Sequence, residues 1–180
     1  MDGGGPPGSV SRARLPRVRL FVAVRPPDEV LDVLAGLQRV ERQGVRWTTR
    51  DQWHVTLRFL GEVEDPAPVA AALDGATLAA CSAEAGPRVA VLGRNVVVPV
   101  AGVEALAAGV IDATGGFGVP AERRRFRGHL TMARVSRGRT GGLVGEPIDV
   151  RFPVDDVLLV RSHLGAGGAR YEDVHVRRLG

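Results

Sequence analysis

The chain has 180 residues, which suits one domain or two small lobes that share a core. Its formal net charge is +4, and all 24 basic residues are arginine. Because lysine is absent, the sequence excludes a lysine-containing phosphate-binding loop, Schiff-base chemistry and lysyl-adenylate formation. The single cysteine, Cys81, excludes an intramolecular disulfide and a multi-cysteine metal site.

Hydropathy gives no sign of a membrane segment. No run approaches the ~18 consecutive apolar residues that a spanning helix needs. The apolar segment 20–24 is too short for the core of a signal peptide, and Pro26 and Pro27 follow it closely. We therefore expect a cytoplasmic protein without a membrane partner.

The predicted elements follow in chain order. Residues 1–16, rich in Gly, Pro, Ser and Arg, are expected to form a disordered tail before one bilobal domain at 17–180. Apolar periodicity predicts helices and glycines predict breaks. The predicted strands are 17–24, 45–47, 52–60, 88–92, 95–100, 128–135, 148–152, 154–161 and 171–178, and the predicted helices are 28–43, 66–80 and 102–113.

The order of these elements repeats. Strand, helix, short break and strand occur across residues 17–60 and again across 95–135, which suggests two similar lobes. Hairpin connections favour antiparallel pairing. We therefore predict an α+β fold that is bilobal and pseudo-symmetric, with two mainly antiparallel sheets flanking a central cleft and helices on the outer faces.

Each repeat ends in the same four-residue pattern of histidine, apolar residue, threonine and apolar residue. The two copies are His54-Val55-Thr56-Leu57 and His129-Leu130-Thr131-Met132. Side chains alternate faces along a strand, so histidine and threonine share one face and the apolar pair anchors the other. Only four histidines exist in the chain, and two lie in this frame. If a pseudo-twofold axis relates the lobes, both histidines face one cleft.

This pairing suits proton transfer at a phosphoester. With an ordinary pKa of ~6.5, one histidine can be neutral and the other protonated near pH 7. Threonine hydroxyls can donate to phosphoryl oxygens, and the arginine cluster 123–127 precedes His129 directly. No acidic cluster with divalent-metal spacing accompanies the motifs, which favours a reaction without a metal ion.

Two histidines lie outside this frame. His163 falls in a predicted hairpin near the cleft, whereas His175 occupies an alternating strand position typical of a surface residue. Spacing alone leaves open a metal site built from His54, His129 and His163. The threonine partners argue against that alternative.

The motifs and their flanks resemble the two-histidine (2H) phosphoesterase superfamily, and within it the RNA 2′,3′-cyclic phosphodiesterases, also called 2′-5′ RNA ligases. The similarity runs from about residue 17 to 178. It includes the opening strand at 19–24, the segments 54–63 and 127–134, and the closing hairpin at 162–171. Gly128 departs from the family pattern, which usually has proline before the second histidine.

The resemblance implies hydrolysis of a terminal 2′,3′-cyclic phosphate on RNA to a 2′-phosphate, without cofactor or metal. It assigns His54 as acid and His129 as base. Thr56 and Thr131 would hold phosphoryl oxygens, and Arg134 would add charge stabilisation. The partners would be RNA or nucleotides with cyclic phosphate ends, bound by a monomer.

Two alternatives stay open at this point. One is 2′-5′ RNA ligase activity in the same cleft, and the other is a module that binds RNA ends without turnover. Phe21 and Tyr171 are aromatic residues in predicted strands, where they could stack on a base or pack in the core.

Overall fold

The structure is a computed structural model that describes residues 17–136, 142–165 and 168–180. The predicted tail, residues 1–16, lies outside the described residues. The three helices are α1 (Asp28–Gly36), α2 (Pro66–Gly75) and α3 (Glu104–Ala113). The strands are β1 (Val18–Val24), β2 (Val45–Trp47), β3 (Val55–Val63), β4 (Cys81–Ala85), β5 (Ala90–Leu92), β6 (Asn95–Ala101), β7 (His129–Val135), β8 (Val150–Val154), β9 (Asp156–Gly165) and β10 (Gly168–Arg178).

The strands form two antiparallel halves that meet at one seam. Their order is β10-β9-β1-β3-β7-β6-β4-β8, so the β3–β7 contact joins the two halves, and outside this order β2 pairs with β7 and β5 pairs with β6. Only Val55 and Leu130 are paired across that contact. The predicted α+β fold with two similar antiparallel halves is confirmed, and each half contributes its motif strand to the seam.

One face of the sheet carries the main core, and the helices cover it. Val55 and Leu130 are fully buried there, together with Leu34 of α1, Leu73 of α2 and Val110 of α3. None of the helices in the described part of the chain has the length and apolar character that crossing a bilayer requires. The opposite face of the sheet is therefore left for the motif side chains.

Two of the predicted helices were too long. α1 ends at Gly36, not at Gln43, and α2 ends at Gly75, not at Ala80. A glycine ends each helix, and glycine disfavours helix because it loses more conformational freedom on folding than any other residue. Residues 37–43, predicted as the last part of the first helix, lie outside α1, and Gly44 occupies a turn with a φ of 82° just before β2.

Candidate active site

The pairing of β3 with β7 brings the two motifs side by side. Antiparallel strands run in opposite directions from the Val55–Leu130 pair, so position 54 lies opposite 131 and position 56 lies opposite 129. Facing side chains at such positions are about 5 Å apart at their Cβ atoms. Each histidine therefore stands beside the threonine of the other motif. All four of these side chains are partly buried, whereas Val55 and Leu130 are fully buried.

Each histidine ring is fixed by a carbonyl two residues before it. Nδ1 of His129 lies 2.8 Å from the carbonyl oxygen of Arg127. A carbonyl only accepts, so Nδ1 carries the proton and Nε2 is left to exchange a proton elsewhere. His54 makes the equivalent hydrogen bond to the carbonyl of Gln52. The two lobes thus hold their histidines in the same way.

Two aromatic rings enclose His54. Phe21 stacks on the imidazole with ring centroids 4.7 Å apart, and Tyr171 meets it edge-on at 5.0 Å. The pKa of His54 is lowered from 6.5 to about 4, mainly by burial and to a smaller extent by the charges of Arg25 and His129. The effect of His129 on His54 places the two histidines within electrostatic reach. Phe21 and Tyr171 thus hold a motif side chain, a role that the sequence did not reveal.

A cleft of about 470 Å³ lies beside the motifs, and we call it the motif cleft. Thr56 and His129 line it, together with three arginines of the predicted cluster, Arg124, Arg125 and Arg127. Apolar side chains such as Val119 and Phe126 form another part of its wall. The cleft therefore combines cationic groups with a surface on which a flat ring can lie.

Arg134 lies on the same face but further along β7. Thr131 pairs with Val97, and Ala133 pairs with Val96, so the register shifts at Met132. Without this bulge, a residue three positions after Thr131 would point to the opposite face. Arg134 is exposed and lines a neighbouring recess, not the motif cleft. The structure thus brings four of the five predicted residues together and sets Arg134 beside them.

Arg58 follows the first motif but points into the core. It is 4% exposed, and its guanidinium donates to the carbonyls of Ile111, Phe117 and Val119 at 2.8, 3.1 and 3.3 Å. These bonds attach the last turn of α3 and the segment after it to β3. That segment leads into the arginines that line the motif cleft, so Arg58, which also lines the cleft, holds this part of its wall in place.

Gly128 is required by close packing. A Cβ at this position would collide with the carbonyl oxygen of Val100 and come within 3.2 Å of Cγ2 of Val103. Its own carbonyl accepts a hydrogen bond from Val100 N at 2.8 Å. The φ of Gly128 is not positive, so glycine is required here by the lack of space for a side chain and not by the backbone conformation. Glycine at this position, where the family usually has proline, thus permits close contact of β6 with the start of β7.

The remaining histidines point elsewhere. His163 pairs with Glu172 at 2.9 Å, and His175 pairs with Asp74 at 2.8 Å. Tyr171 faces His54, so alternation places Glu172 and its partner His163 on the other face of the hairpin. Among the described residues, no group of three or more His, Cys, Asp or Glu side chains is arranged to hold a metal ion.

Comparison with known proteins shows that the first part of the chain is similar to a family of phosphoesterases. Residues 22–85, which include the first motif, match the model of the family described as LigT like Phosphoesterase. No curated protein matches the chain. The second motif lies outside the matched segment, and the structure supplies it.

Solved structures share the fold along nearly the whole chain. TT0787 of Thermus thermophilus is 27% identical, with a TM-score of 0.76 over 89% of this chain and 97% of that one. LigT of E. coli is 21% identical in its apo form, with a TM-score of 0.73 over 91% of this chain and 98% of that one. The same protein complexed with 3′-AMP gives 20% identity and a TM-score of 0.74, over the same shares of the two chains. The resemblance to LigT-like phosphoesterases is thus confirmed.

Proposed function

We propose that the protein hydrolyses the 2′,3′-cyclic phosphate at the end of an RNA chain to a 2′-phosphate without a metal ion. The observation that carries this proposal is the seam pairing of Val55 with Leu130, which sets two histidines and two threonines on one face. The structures of E. coli LigT complexed with 3′-AMP and with phosphate support a ligand that carries a nucleotide phosphate.

In the proposed reaction, Nε2 of His129 takes a proton from water, whose oxygen attacks phosphorus in line with the bond to O3′. That bond breaks, and O3′ receives a proton from His54. The products are a 2′-phosphate and a 3′-hydroxyl. The hydroxyls of Thr56 and Thr131 donate to the non-bridging oxygens, where negative charge builds in the transition state. Solvent then returns the proton that His54 has lost and removes the one that His129 has gained.

The environment of His54 sets a condition on this scheme. With a pKa of about 4, the ring is neutral at pH 7 in the free protein and has no proton to spare. An anion placed beside it favours the protonated form and raises the pKa. We propose that the phosphate of the bound substrate supplies this charge, so that His54 becomes an acid only when the cleft is occupied.

The experiment measures turnover of a 2′,3′-cyclic nucleotide and of cyclic-ended RNA in the presence of EDTA. We expect full activity in EDTA and a loss of about 10³-fold or more in His54→Ala and in His129→Ala, a size typical of removed acid–base groups. His163→Ala is the matched control, because His163 is paired with Glu172 on the other face of the hairpin. It should retain wild-type activity.

Four outcomes would contradict the proposal. Loss of turnover in EDTA would remove the metal-independent mechanism, and activity that survives both motif substitutions would remove the histidine assignment. RNA binding without turnover would identify a module that only recognises RNA ends. A joined product from cyclic-ended and 5′-hydroxyl RNA would instead identify a ligase in the same cleft.

A further inference from the structure

An arginine-lined recess lies beside the motifs on the cleft face of the sheet. We call it the arginine recess; it has a volume of about 560 Å³. Its cationic side chains are Arg46, Arg94 and Arg134, and Asn95 and Ser136 add neutral hydrogen-bonding groups. No acidic residue lines it among those that the structure describes. The recess thus gathers three permanent positive charges in one concave surface.

The sheet itself assembles these charges. Arg46 on β2 and Asn95 on β6 pair with Arg134 on either side of β7, which puts all three residues in one row. Arg94 adjoins the row from the turn before β6, where its carbonyl accepts from Val135 N at 2.9 Å. Arg46 and Arg134 face each other directly across β2 and β7, so their guanidinium groups concentrate positive charge at this place. Within the described residues, Arg94 and Arg134 form no ion pair.

A second recess connects this one to the motifs, and we call it the hairpin recess. It shares Arg46 and Arg134 with the arginine recess, and Tyr171 and the β9–β10 ends form its other wall. Tyr171 also contacts His54, so a continuous surface runs from the first motif histidine to Arg94. No acidic residue of the described chain lines this connecting part either.

The position of Arg46 depends on a close approach to Gly168. A Cβ on Gly168 would collide with the guanidinium of Arg46, and the φ of Gly168 is 113°. The hairpin end thus admits the arginine at the junction of the two recesses. A guanidinium presents a planar fork of donors with a fixed charge, and this geometry matches two oxygens of a phosphate.

We propose that the arginine recess is a second phosphate site, which holds the phosphodiester backbone of an RNA strand upstream of its cyclic end. The inference rests on the proposed function, which places that end at His54 and His129. Contacts from arginine to phosphate fix the register of a strand without reading its sequence. The protein therefore prefers oligonucleotide ends over mononucleotides, independently of the bases that precede the end.

The test compares Arg46→Ala and Arg94→Ala with Arg151→Ala. Arg151 is an exposed arginine on β8, paired with Glu84 at the far edge of the sheet, so its removal changes the net charge equally. Binding of a labelled RNA with a 2′-phosphate end is measured by fluorescence anisotropy over a range of salt concentrations, with 2′-AMP as the short competitor. A strand of about ten nucleotides is long enough to pass both recesses.

We expect each recess variant to bind the RNA about tenfold more weakly and to bind 2′-AMP like the wild type. The slope of log K against log salt should become less steep by about 0.7 in each, because one phosphate contact is lost from a single strand. The control variant should match the wild type in slope and in its preference for RNA over 2′-AMP. Unchanged thermal unfolding in all three variants shows that they are folded.

Equal binding of RNA and 2′-AMP by the wild type, or equal losses in the recess variants and the control, would overturn the inference. Turnover measurements distinguish failure of the recess proposal from failure of the proposed function. If cyclic mononucleotide is hydrolysed but strand length brings no benefit, the reaction stands and the recess is not a phosphate site. If neither cyclic substrate is hydrolysed but arginine-dependent RNA binding persists, the recess stands and the proposed reaction is wrong.

Discussion

At the scale of single residues, His54 is the side chain whose chemistry depends most on its neighbours. Phe21, Tyr171 and the carbonyl of Gln52 fix its ring, and the same burial removes its proton at neutral pH. The sequence predicted that His54 and Thr56 share a face, because side chains two positions apart in a strand point to the same side. It could not show the aromatic enclosure, because Phe21 and Tyr171 come from strands distant in the chain.

The pKa of His54 gives a direct prediction. In the free protein, the His54 ring should titrate with a pKa of about 4, which NMR can follow. Its resonance is assigned because it is absent from the spectrum of His54→Asn. Saturating 2′-AMP should raise that pKa, because the phosphate stabilises the protonated ring. By linkage, 2′-AMP must then bind more tightly to the protonated form, so its affinity falls as pH rises between the free and bound pKa values of this group. A ring pKa unchanged by 2′-AMP would place the phosphate away from His54.

At the scale of elements, each motif strand carries a bulge at the fourth position of its motif. On β3, Ala23 pairs with Thr56 and Val22 pairs with Arg58, so the register shifts at Leu57. On β7 the register shifts at Met132. The next residue along each strand, Arg58 or Ala133, is therefore buried with the core. Alternation alone could not predict this, because one extra residue reverses every later face.

The buried Arg58 should stabilise the fold and the motif cleft together. Arg58→Met keeps the length of the side chain but leaves three carbonyls without their donor, and we expect a loss of about 2–4 kcal/mol in the free energy of unfolding. Arg88→Met is the matched control, because Arg88 is exposed and donates to one carbonyl, that of Gly145. Its effect should stay within about 0.5 kcal/mol. Denaturant unfolding measures both.

The kinetic consequence of the same substitution identifies the role of the residue. Arg58→Met loosens the segment that leads to Arg124 and Arg127, so KM for cyclic-ended RNA should rise more than kcat falls. An equal loss in kcat and kcat/KM would instead show that Arg58 acts at the reacting phosphate. A stability change no larger than that of Arg88→Met would show that its three hydrogen bonds contribute little.

One element was absent from the sequence interpretation. In β4, Ala83 and Ala85 are buried while Ser82 and Glu84 are exposed, so the period of two is present. Alanine is depleted in strands and common in helices, and this made the pattern weak as a strand signal. The pairing of β4 with β6 and β8, which comes from tertiary contacts, determines the strand.

At the scale of the whole molecule, the candidate site exists only because two lobes meet. The repeat of element order predicted two similar lobes, and the structure has two antiparallel halves that meet at the β3–β7 seam. The seam itself could not be predicted, since nothing local in either motif specifies that Val55 pairs with Leu130. That pair is fully buried and lies beneath all four motif side chains.

The last prediction concerns this seam. Leu130→Ala and Leu73→Ala each remove a large side chain from a fully buried position, one at the seam and one in α2. Both should lower the free energy of unfolding by about 3 kcal/mol, because both leave a cavity in the core. Only Leu130→Ala should also lower kcat, by roughly tenfold or more, since small displacements of reacting groups are costly and this cavity lies directly under the facing motifs. Equal kcat values in the two variants, measured well below their unfolding temperatures, would show that the spacing of the histidines does not depend on packing at the seam.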